Sequence, residues 1–386
     1  MSPYTIAFDA RKLSGRRGGV GHYITRLTSH LARIAPEYNY VLLTNRPLDT
    51  SLVPPGFRQA ILGLGFVDGS RPAKLYAPFW MNLQLPRALR RERVDLYHGT
   101  NFFMPMRETC PTVVTVHDVA FVCVPETFGP VYRRYMRWQV GHSVREADHL
   151  IAMTEHAKND ISSLFGIDPA RITVTYVGIE ERCTASPDVA YLADTGNALH
   201  LPDRYLLHVG VVDARKNIET LLRASVEPLR RGLIDGVVLA GKDSRGADSV
   251  RTTAHNLGIE DRVRFLGYVD QHWMVGVYHL ARLLVFPSWF EGFGVPVIEA
   301  MACGTPVVAS NASAVPEVAG DAAILFPPAD AAALERALID VLSQPELHAE
   351  LRRRGLARAA KFTWNEAAAK HVEVYRQVLE QSGRLR

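Results

Sequence analysis

Two acidic residues, Glu291 and Glu299, mark the segment of this sequence that is best suited to chemistry. An apolar stretch precedes them, glycines lie between them, and Pro296 stands where the first turn of a helix is expected. Glycines let backbone N–H groups approach an anion, and a helix N-terminus favours negative charge. The carboxylates can accept hydrogen bonds from the hydroxyl groups of a sugar or a ribose. We therefore predict that Glu291 lies in a ligand-binding loop and that Glu299 lies in the first helical turn.

A second segment combines two adjacent cations, Arg215 and Lys216, with a strand pattern and the start of a helix. The apolar residues 205–210 predict the strand, and Asn217 is suited to the N-cap of the helix. Adjacent cations before a helix N-terminus form a strong site for an anion such as a diphosphate. No Asp-x-Asp motif follows a predicted strand. Because Arg215 and Lys216 can neutralise a leaving diphosphate, we expect neither a metal site nor a cofactor.

Two weaker signals lie in the first half of the chain. Gly18 and Gly19 follow the first predicted strand, but the glycine spacing there departs from the G-x-G-x-x-G pattern of dinucleotide-binding proteins. A loop that contacts a phosphate and an ordinary turn both fit these glycines. His117 and Asp118 follow a hydrophobic strand pattern, which would place the histidine in a cleft at the end of that strand. A structural histidine and an aspartate that caps a turn are the alternatives.

Strand and helix patterns alternate along the chain, which is typical of parallel sheets covered on both faces. The alternation ends near residue 176 and restarts at residue 205, and we interpret the weakly patterned residues 183–201 as an interdomain linker. The expected fold class is α/β, with two Rossmann-like doubly wound domains at residues 1–190 and 200–364 that face a cleft. Strands are predicted at residues 5–10, 40–44, 96–98, 112–116, 149–153, 172–176, 205–210, 236–240, 263–265, 283–286, 306–309 and 323–326.

The composition is that of an ordinary globular protein, since 47% of the 386 residues are hydrophobic and 22% are charged. A chain of this length can bury a large core without disulfides or metal. The four cysteines form no C-x-x-C pair, which fits a reducing cytosol. The first residues predict a strand rather than a signal peptide, and no long uninterrupted apolar stretch predicts a membrane span. We therefore expect a cytoplasmic protein.

Together these segments resemble glycosyltransferase family 4, whose members have the GT-B architecture. The resemblance covers nearly the whole chain, including the glycine loop, the His-Asp pair, the Arg-Lys-Asn segment, the Glu-x7-Glu string and the closing Phe-Thr-Trp at residues 362–364. It implies retaining transfer of a sugar from a nucleotide diphosphate to an acceptor. It also implies that Gly19 approaches the donor diphosphate from the first domain. The C-terminal helix, residues 365–386, would cross back to that domain.

The resemblance also implies roles for the motif residues. Arg215 and Lys216 would bind the donor diphosphate, and Glu299 would bind the ribose. Glu291 would contact the donor sugar, and His117 would contact the same sugar and stabilise the transition state. The implied catalytic set is His117, Glu291, Arg215 and Lys216, and the implied donor-binding set is Gly18, Gly19, Arg215, Lys216, Glu291, Gly292, Phe293, Gly294, Val295 and Glu299.

The segment at residues 115–128 resembles bacterial mannosyl- and rhamnosyltransferases of polysaccharide assembly. It favours GDP-mannose as the donor, with GDP-rhamnose or a UDP-sugar as the alternative. The expected acceptor is a growing saccharide or a lipid-linked glycan of O-antigen, lipopolysaccharide or exopolysaccharide, and no nucleic acid is expected as a partner. Two other classes are a nicotinamide-dependent oxidoreductase, which the glycine spacing disfavours, and a non-catalytic sugar-nucleotide-binding partner of an assembly complex.

Basic residues give the chain a formal net charge of +4, and their excess lies in its first half. The segment at residues 131–138 mixes aromatic residues with arginines, a composition that suits the surface of an anionic membrane. It predicts peripheral contact with the cytoplasmic face of the inner membrane. An ordinary packed helix is the alternative.

Overall fold

The chain forms two compact units. The computed structural model describes residues 4–15, 18–62, 79–107, 109–184, 186–244 and 246–383. The first unit consists of Met1–Val122, Gly129–Gly178 and Thr363–Arg386, and the second consists of Cys123–Phe128 and Ile179–Phe362. Within the described residues, every helix is too short or too polar to cross a lipid bilayer.

A parallel sheet lies at the centre of the first unit, with seven described strands in the order β3-β2-β1-β4-β5-β6-β7. All five residues of β5 are buried, as expected of a strand that is covered on both faces. The edge strand β3 was not predicted, because Arg58 and Gln59 interrupt its apolar pattern. The strands are β1 (Thr5–Asp9), β2 (Asn39–Thr44), β3 (Phe57–Ile61), β4 (Leu96–Gly99), β5 (Thr112–Val116), β6 (His149–Ala152) and β7 (Ile172–Val174).

Helices cover this sheet, and the last of them comes from the end of the chain. The hydroxyl oxygen of Tyr23 lies 2.8 Å from Nε2 of His371, and Nδ1 of His98 lies 2.8 Å from the hydroxyl oxygen of Tyr375. These contacts confirm that the C-terminal helix returns to the N-terminal unit. The helices are Gly19–Ile34, Leu85–Arg91, Ala120–Cys123, Pro130–Glu146, Glu155–Phe165 and Trp364–Gln381.

The second unit repeats the plan with six described parallel strands in the order β10-β9-β8-β11-β12-β13. Each predicted strand of this unit is present, with its ends shifted by two residues at most. The strands are β8 (Tyr205–Val209), β9 (Gly236–Ala240), β10 (Val263–Gly267), β11 (Leu283–Phe286), β12 (Val307–Ser310) and β13 (Ile324–Phe326). The helices are Glu181–Thr184, Val189–Leu199, Ile218–Arg230, Ala247–Asn256, Gln271–Leu280, Val295–Ala302, Val315–Ala319, Ala331–Ser343 and Pro345–Ala359.

The interpretation of residues 183–201 as an interdomain linker is wrong. Helix Val189–Leu199 occupies most of it, and the side chain of Asp188 caps this helix by accepting from the backbone N–H of Ala190 at 3.2 Å. The helix packs closely enough on its neighbour that a Cβ at Gly276 would lie 2.4 Å from Oγ1 of Thr195. Thr195 is the one buried residue of this helix, and it is polar, so the sequence shows only weak helical periodicity here.

Candidate active site

The loop between β11 and the helix Val295–Ala302 carries the acidic segment. Gly294 is the N-cap of that helix with φ of 96°, a left-handed conformation that favours glycine. Glu291 precedes it in the loop, as predicted, and donates its backbone N–H to Oγ of Ser313 at 2.8 Å. Glu299 lies in the second helical turn rather than the first, because the helix begins at Val295.

The carboxylate of Glu291 joins both cations of the Arg-Lys segment. Nζ of Lys216 lies 2.5 Å from Oε1 of Glu291, and Nη1 of Arg215 lies 3.1 Å from Oε2. Arg215 also donates to the carbonyl oxygen of Phe290 at 2.6 Å, and its own carbonyl accepts from the N–H of Trp289 at 2.9 Å. The two motifs therefore form one cluster of two cations and one carboxylate.

Burial would raise the pKa of Glu291, but the charges of Lys216 and Arg215 outweigh it and lower that pKa to about 2. Glu291 is therefore ionised at neutral pH, and the cluster retains one net positive charge. A carboxylate held by two cations is a weak base and a weak nucleophile. The cluster is suited to binding an anion and orienting hydroxyl groups.

The position of Lys216 is fixed by its surroundings. Its backbone N–H donates to Oδ1 of Asp213 at 3.2 Å, and its ammonium lies 5.2 Å from the centre of the Phe286 ring. Gly210 has φ of 152°, and a Cβ there would lie 3.1 Å from Cε of Lys216. The lysine stem therefore crosses directly over the glycine that follows β8.

Asn217 occupies the predicted N-cap position, but its side chain does not cap the helix. Its φ is 54°, and its amide donates to the carbonyls of Pro287 at 3.0 Å and Pro328 at 2.7 Å. Its Oδ1 accepts from the hydroxyl of Thr220 at 2.8 Å. Asn217 thus ties the Arg-Lys turn to the residue that follows β11.

Glu299 lies against a tyrosine that the sequence did not single out. The hydroxyl of Tyr278 donates to Oε2 of Glu299 at 2.7 Å. The pKa of Glu299 is raised to about 7. Burial is the main cause and the charge of Glu180 adds to it, whereas the hydrogen bond from Tyr278 acts in the opposite direction. Glu299 therefore changes charge near neutral pH, which suits a group that accepts hydrogen bonds from a ribose.

His208 at the end of β8 is a second residue that sequence reasoning missed. Its Nδ1 donates to the carbonyl of Val285 at 3.2 Å, and its buried Nε2 has no partner in the described part of the chain. Burial and, to a smaller extent, the charge of Lys216 lower the pKa of His208 to about 4, so the ring is neutral at pH 7. A polar residue inside an otherwise apolar strand, two positions before Gly210, was the available signal.

Gly18 and Gly19 lie in the first unit. Gly18 is the N-cap of the helix Gly19–Ile34, and a Cβ at either glycine would meet no atom within 4 Å among the described residues. Neither glycine has positive φ. Packing within the described residues therefore does not demand glycine at these positions. Their contact with a donor diphosphate stays a prediction.

His117 follows β5, and its tautomer can be assigned from its contact. Its Nε2 lies 2.9 Å from the carbonyl oxygen of Thr100, so Nε2 carries the proton and Nδ1 is the acceptor in the neutral ring. Burial lowers the pKa of His117, although Thr100 and Asp118 oppose this effect. Asp118 accepts from the N–H of Ala120 at 3.0 Å, as expected of a residue that caps a turn.

A buried hydrogen-bond chain supports this histidine. Nδ1 of His371 lies 2.6 Å from the carbonyl oxygen of Ala367, so Nδ1 carries the proton of the neutral ring. Nε2 of His371 therefore accepts from the hydroxyl of Tyr23. The hydroxyl of Thr115 then donates to Tyr23 at 3.1 Å and accepts from Nε2 of His98 at 2.7 Å, while Nδ1 of His98 accepts from Tyr375. The ring of Tyr23 meets the His117 ring edge-on at 5.1 Å. His371 of the C-terminal helix thereby holds Tyr23, the ring that packs against His117.

The predicted residues thus fall into two groups. Arg215, Lys216 and Glu291 form one cluster in the second unit, and the loop Gly292 to Val295 adjoins it. The side chain of Phe293 is buried edge-on against Phe362 at 5.7 Å, so only its backbone is available to a donor. His117, Gly18 and Gly19 belong to the first unit.

Comparisons with known proteins agree with this geometry. The family model for Glycosyltransferase Family 4 matches residues 17–182, and the model for Glycosyl transferases group 1 matches residues 195–358. O-antigen chain mannosyltransferase B of Escherichia coli is 30% identical over 290 residues, which are 75% of this chain and 76% of that protein. Serotype-specific mannosyltransferase WbdA of Escherichia coli is 28% identical over 277 residues, which are 70% of this chain but only 34% of that protein.

A solved structure shows the fold independently. Sucrose-phosphate synthase from Thermosynechococcus elongatus superimposes with a TM-score of 0.79 at 23% identity, over 98% of this chain and 100% of that one. Both sheets are parallel and Rossmann-like, as expected of the GT-B fold. The chain is therefore a glycosyltransferase with the GT-B fold, and it belongs to glycosyltransferase family 4.

Proposed function

We propose that this glycosyltransferase moves mannose from GDP-mannose, with retention of configuration, onto a growing saccharide or lipid-linked glycan of a cell-surface polysaccharide, at the cytoplasmic face of the inner membrane. The observation that carries the proposal is the cluster of Lys216, Arg215 and Glu291 beside a glycine-containing helix N-terminus. The two Escherichia coli relatives, both named as mannosyltransferases, support the choice of sugar.

The proposed chemistry follows from the charge of the cluster. When the bond between the sugar and the diphosphate breaks, negative charge accumulates on the leaving diphosphate, and Arg215 and Lys216 stabilise it. The acceptor oxygen bonds to the anomeric carbon on the face that the diphosphate leaves, and its proton passes to a leaving phosphate oxygen. Glu291 orients sugar hydroxyls and forms no covalent bond, since its pKa of about 2 makes it a weak nucleophile.

A donor screen tests the proposal. The melting temperature should rise by several degrees with GDP-mannose at saturating concentration, because a ligand at about 100 times its Kd stabilises the folded state by ~2.7 kcal/mol. UDP-glucose, dTDP-rhamnose and GDP-rhamnose serve as matched donors in differential scanning fluorimetry. Stabilisation by a UDP-sugar but not by GDP-mannose would contradict the donor assignment. A β-linked product from the α-linked donor, measured by NMR, would contradict retention.

The proposed membrane contact concerns one face of the helix Pro130–Glu146. Val131 and Trp138 are 84% and 57% exposed, and the exposed Arg134 lies on the same face at helical spacing. Met136 and Val140 on the opposite face are buried. An apolar surface flanked by cations complements an anionic lipid surface. We therefore propose an anionic bilayer as the occupant of this face.

Vesicle flotation checks this contact. The full chain should float with vesicles of phosphatidylcholine and phosphatidylglycerol but not with phosphatidylcholine alone, and salt should weaken the binding. Val131→Glu should reduce the floated fraction several-fold, because it places an anion on the bound face. Val189→Glu, at a valine of the second unit that is 80% exposed, is the matched control. Equal flotation of the two variants, or none by the wild type, would overturn the proposal.

A further inference from the structure

The ring of His208 has a fixed orientation inside the second unit. His208 lies on β8 and is fully buried, and its ring stacks on that of Phe286 in the neighbouring strand β11, with 6.2 Å between the ring centres. Its Nδ1 lies 3.2 Å from the carbonyl oxygen of Val285. Nδ1 therefore carries the proton of the neutral ring, and Nε2 is left as a hydrogen-bond acceptor.

This acceptor lacks a donor. Nε2 of His208 is buried, and none of the residues that the structure describes donates to it. Buried polar atoms are ordinarily hydrogen-bonded, so an orphaned one requires an explanation. Burial and the charge of Lys216 lower the pKa of His208, so Nε2 is not protonated at pH 7. The orphaned atom is therefore an acceptor under the conditions in which the enzyme works.

The side chain of Lys216 passes close to this acceptor. A Cβ at Gly210 would lie 3.5 Å from Nε2 of His208 and 3.1 Å from Cε of Lys216, so the two atoms flank the same point. Because residue 210 is a glycine, it places no side chain of its own between them. The ring of Phe286 adjoins both groups, since the ammonium of Lys216 lies 5.2 Å from its centre. Lys216 is therefore the cation of the cluster that is placed to donate to Nε2.

The ammonium of Lys216 has more donors than Glu291 uses. It carries three N–H groups, and Oε1 of Glu291 accepts from one of them at 2.5 Å. An ammonium can turn about a single contact, so Glu291 alone does not fix the direction of the other two. A second acceptor on a strand fixes that direction and leaves the third N–H for an anion. A neutral acceptor preserves the net positive charge of the cluster, which a second carboxylate would cancel.

We infer that His208 is a positioning residue, whose Nε2 accepts a hydrogen bond from the ammonium of Lys216 when Lys216 turns toward the leaving diphosphate. The inference rests on the proposed function, since it concerns a cation that stabilises that diphosphate. The bond forms by rotation of the lysine side chain alone, because Val285 and Phe286 already hold the ring. Since its ring is fully buried, His208 acts through Lys216 and does not itself contact the donor.

Calorimetric titration of the full chain with pyrophosphate tests this inference without a base or a sugar. His208→Phe keeps a ring against Phe286 but removes the acceptor, and it should weaken pyrophosphate binding about fivefold. His208→Gln, whose amide oxygen can replace Nε2, should restore most of the affinity. His149→Phe is the matched control, since His149 is a buried strand histidine of the first unit whose Nε2 lies 2.8 Å from Oγ1 of Thr173. That variant should bind pyrophosphate as the wild type does.

Two further measurements separate positioning from packing. In a Lys216→Met background, His208→Phe should cause no further loss of affinity, because the residue through which it acts is gone. Long-range proton–nitrogen NMR with isotope-labelled histidine should show His208 protonated on Nδ1, with its signals identified by their absence in His208→Phe. The Nε2 resonance should move toward the hydrogen-bonded range when pyrophosphate is added, which a merely structural histidine would not do.

Several results would overturn the inference. They are equal affinity in His208→Phe and the wild type, equal losses in His208→Phe and His208→Gln, and an Nε2 resonance that stays in place as pyrophosphate saturates the protein. A further loss from His208→Phe in the Lys216→Met background, or no pyrophosphate binding by the wild type, would also overturn it. Since these assays contain no nucleotide sugar, absence of GDP-mannose turnover in the wild type would count against the proposed function alone.

Discussion

Glu291→Gln should lower the rate of mannosyl transfer by about 100-fold or more while changing the donor KM much less. The amide cannot hold both Lys216 and Arg215 as the shared carboxylate does, so the two cations would lose the positions in which we propose that they stabilise the leaving diphosphate. Loss of one preorganised electrostatic group typically costs a factor of about 100–1,000 in kcat. Steady-state kinetics with GDP-mannose, varying donor and acceptor separately, measure the two parameters.

The same variant should also be less stable, and the effect should depend on pH. The pKa of Glu291 is lowered from 4.5 to about 2, which corresponds to ~3 kcal/mol of folding free energy at neutral pH. This contribution is complete above the ordinary pKa and is lost as pH falls through about 2. The stability difference between wild type and variant in urea should therefore be largest near pH 7 and shrink below pH 4.

A matched surface site supplies the control. Glu227 is likewise shared between two arginines, with Arg230 and Arg231 both at 2.6 Å, but these arginines are exposed to solvent. Exposed ion pairs contribute about 0–1 kcal/mol, so Glu227→Gln should keep both rate and stability near wild type. Glu291→Gln with more than a tenth of the wild-type rate would contradict the assignment of the cluster. Equal destabilisation of both variants would contradict its energetic interpretation.

The strand ends and motif residues could be predicted because they depend on local sequence. Alternating apolar runs located every strand of the second unit, and the glycines, the proline and the paired cations indicated strand-to-helix turns. That Lys216 meets Glu291 required the sheet, since the two residues lie 75 positions apart. Sequence spacing carries no information about pairs of that kind.

Residues whose role depends on packing were missed. Tyr278 lies in the helix Gln271–Leu280, which the apolar pattern did not reveal, and only the fold brings its hydroxyl to Glu299. Arg11 reads in the sequence as one of several clustered basic residues, but Asp9 and Trp80 hold it in a single orientation. In both cases the fold, and not the residue type, determines which side chains surround the residue.

The donor KM should fall about tenfold as pH rises from 6 to 8, because Glu299 ionises near pH 7 in the free protein. A carboxylate accepts hydrogen bonds from ribose hydroxyls more strongly than a neutral carboxyl does, since a hydrogen bond to a charged group contributes about 1.5–3 kcal/mol and one between neutral groups about 0.5–1.5 kcal/mol. Glu299→Gln should keep the weak, low-pH KM throughout this range. A KM that is flat with pH in the wild type would contradict the proposed ribose contact.

Tyr278→Phe separates this titration from a general pH effect. The lost hydroxyl donates to the carboxylate of Glu299, so its removal should raise the pKa further and move the fall in KM to higher pH. Tyr205→Phe is the control, since that buried hydroxyl donates to the carbonyl of Val277 at 2.6 Å instead. Its KM profile should match wild type. An unshifted profile in Tyr278→Phe would remove Tyr278 from the site.

The stability of the free protein should fall as pH rises, whereas its affinity for the donor should rise. The pKa of Glu299 is raised from 4.5 to about 7, so the folded state holds its proton longer than the unfolded state does. Stability therefore falls as pH rises through this interval, and above pH 7 ionised Glu299 destabilises the fold by ~3 kcal/mol. Ribose hydroxyls relieve that penalty, so GDP-mannose should raise the melting temperature more at pH 8 than at pH 6. Glu299→Gln should abolish this difference, because the variant has no carboxylate at this position to titrate.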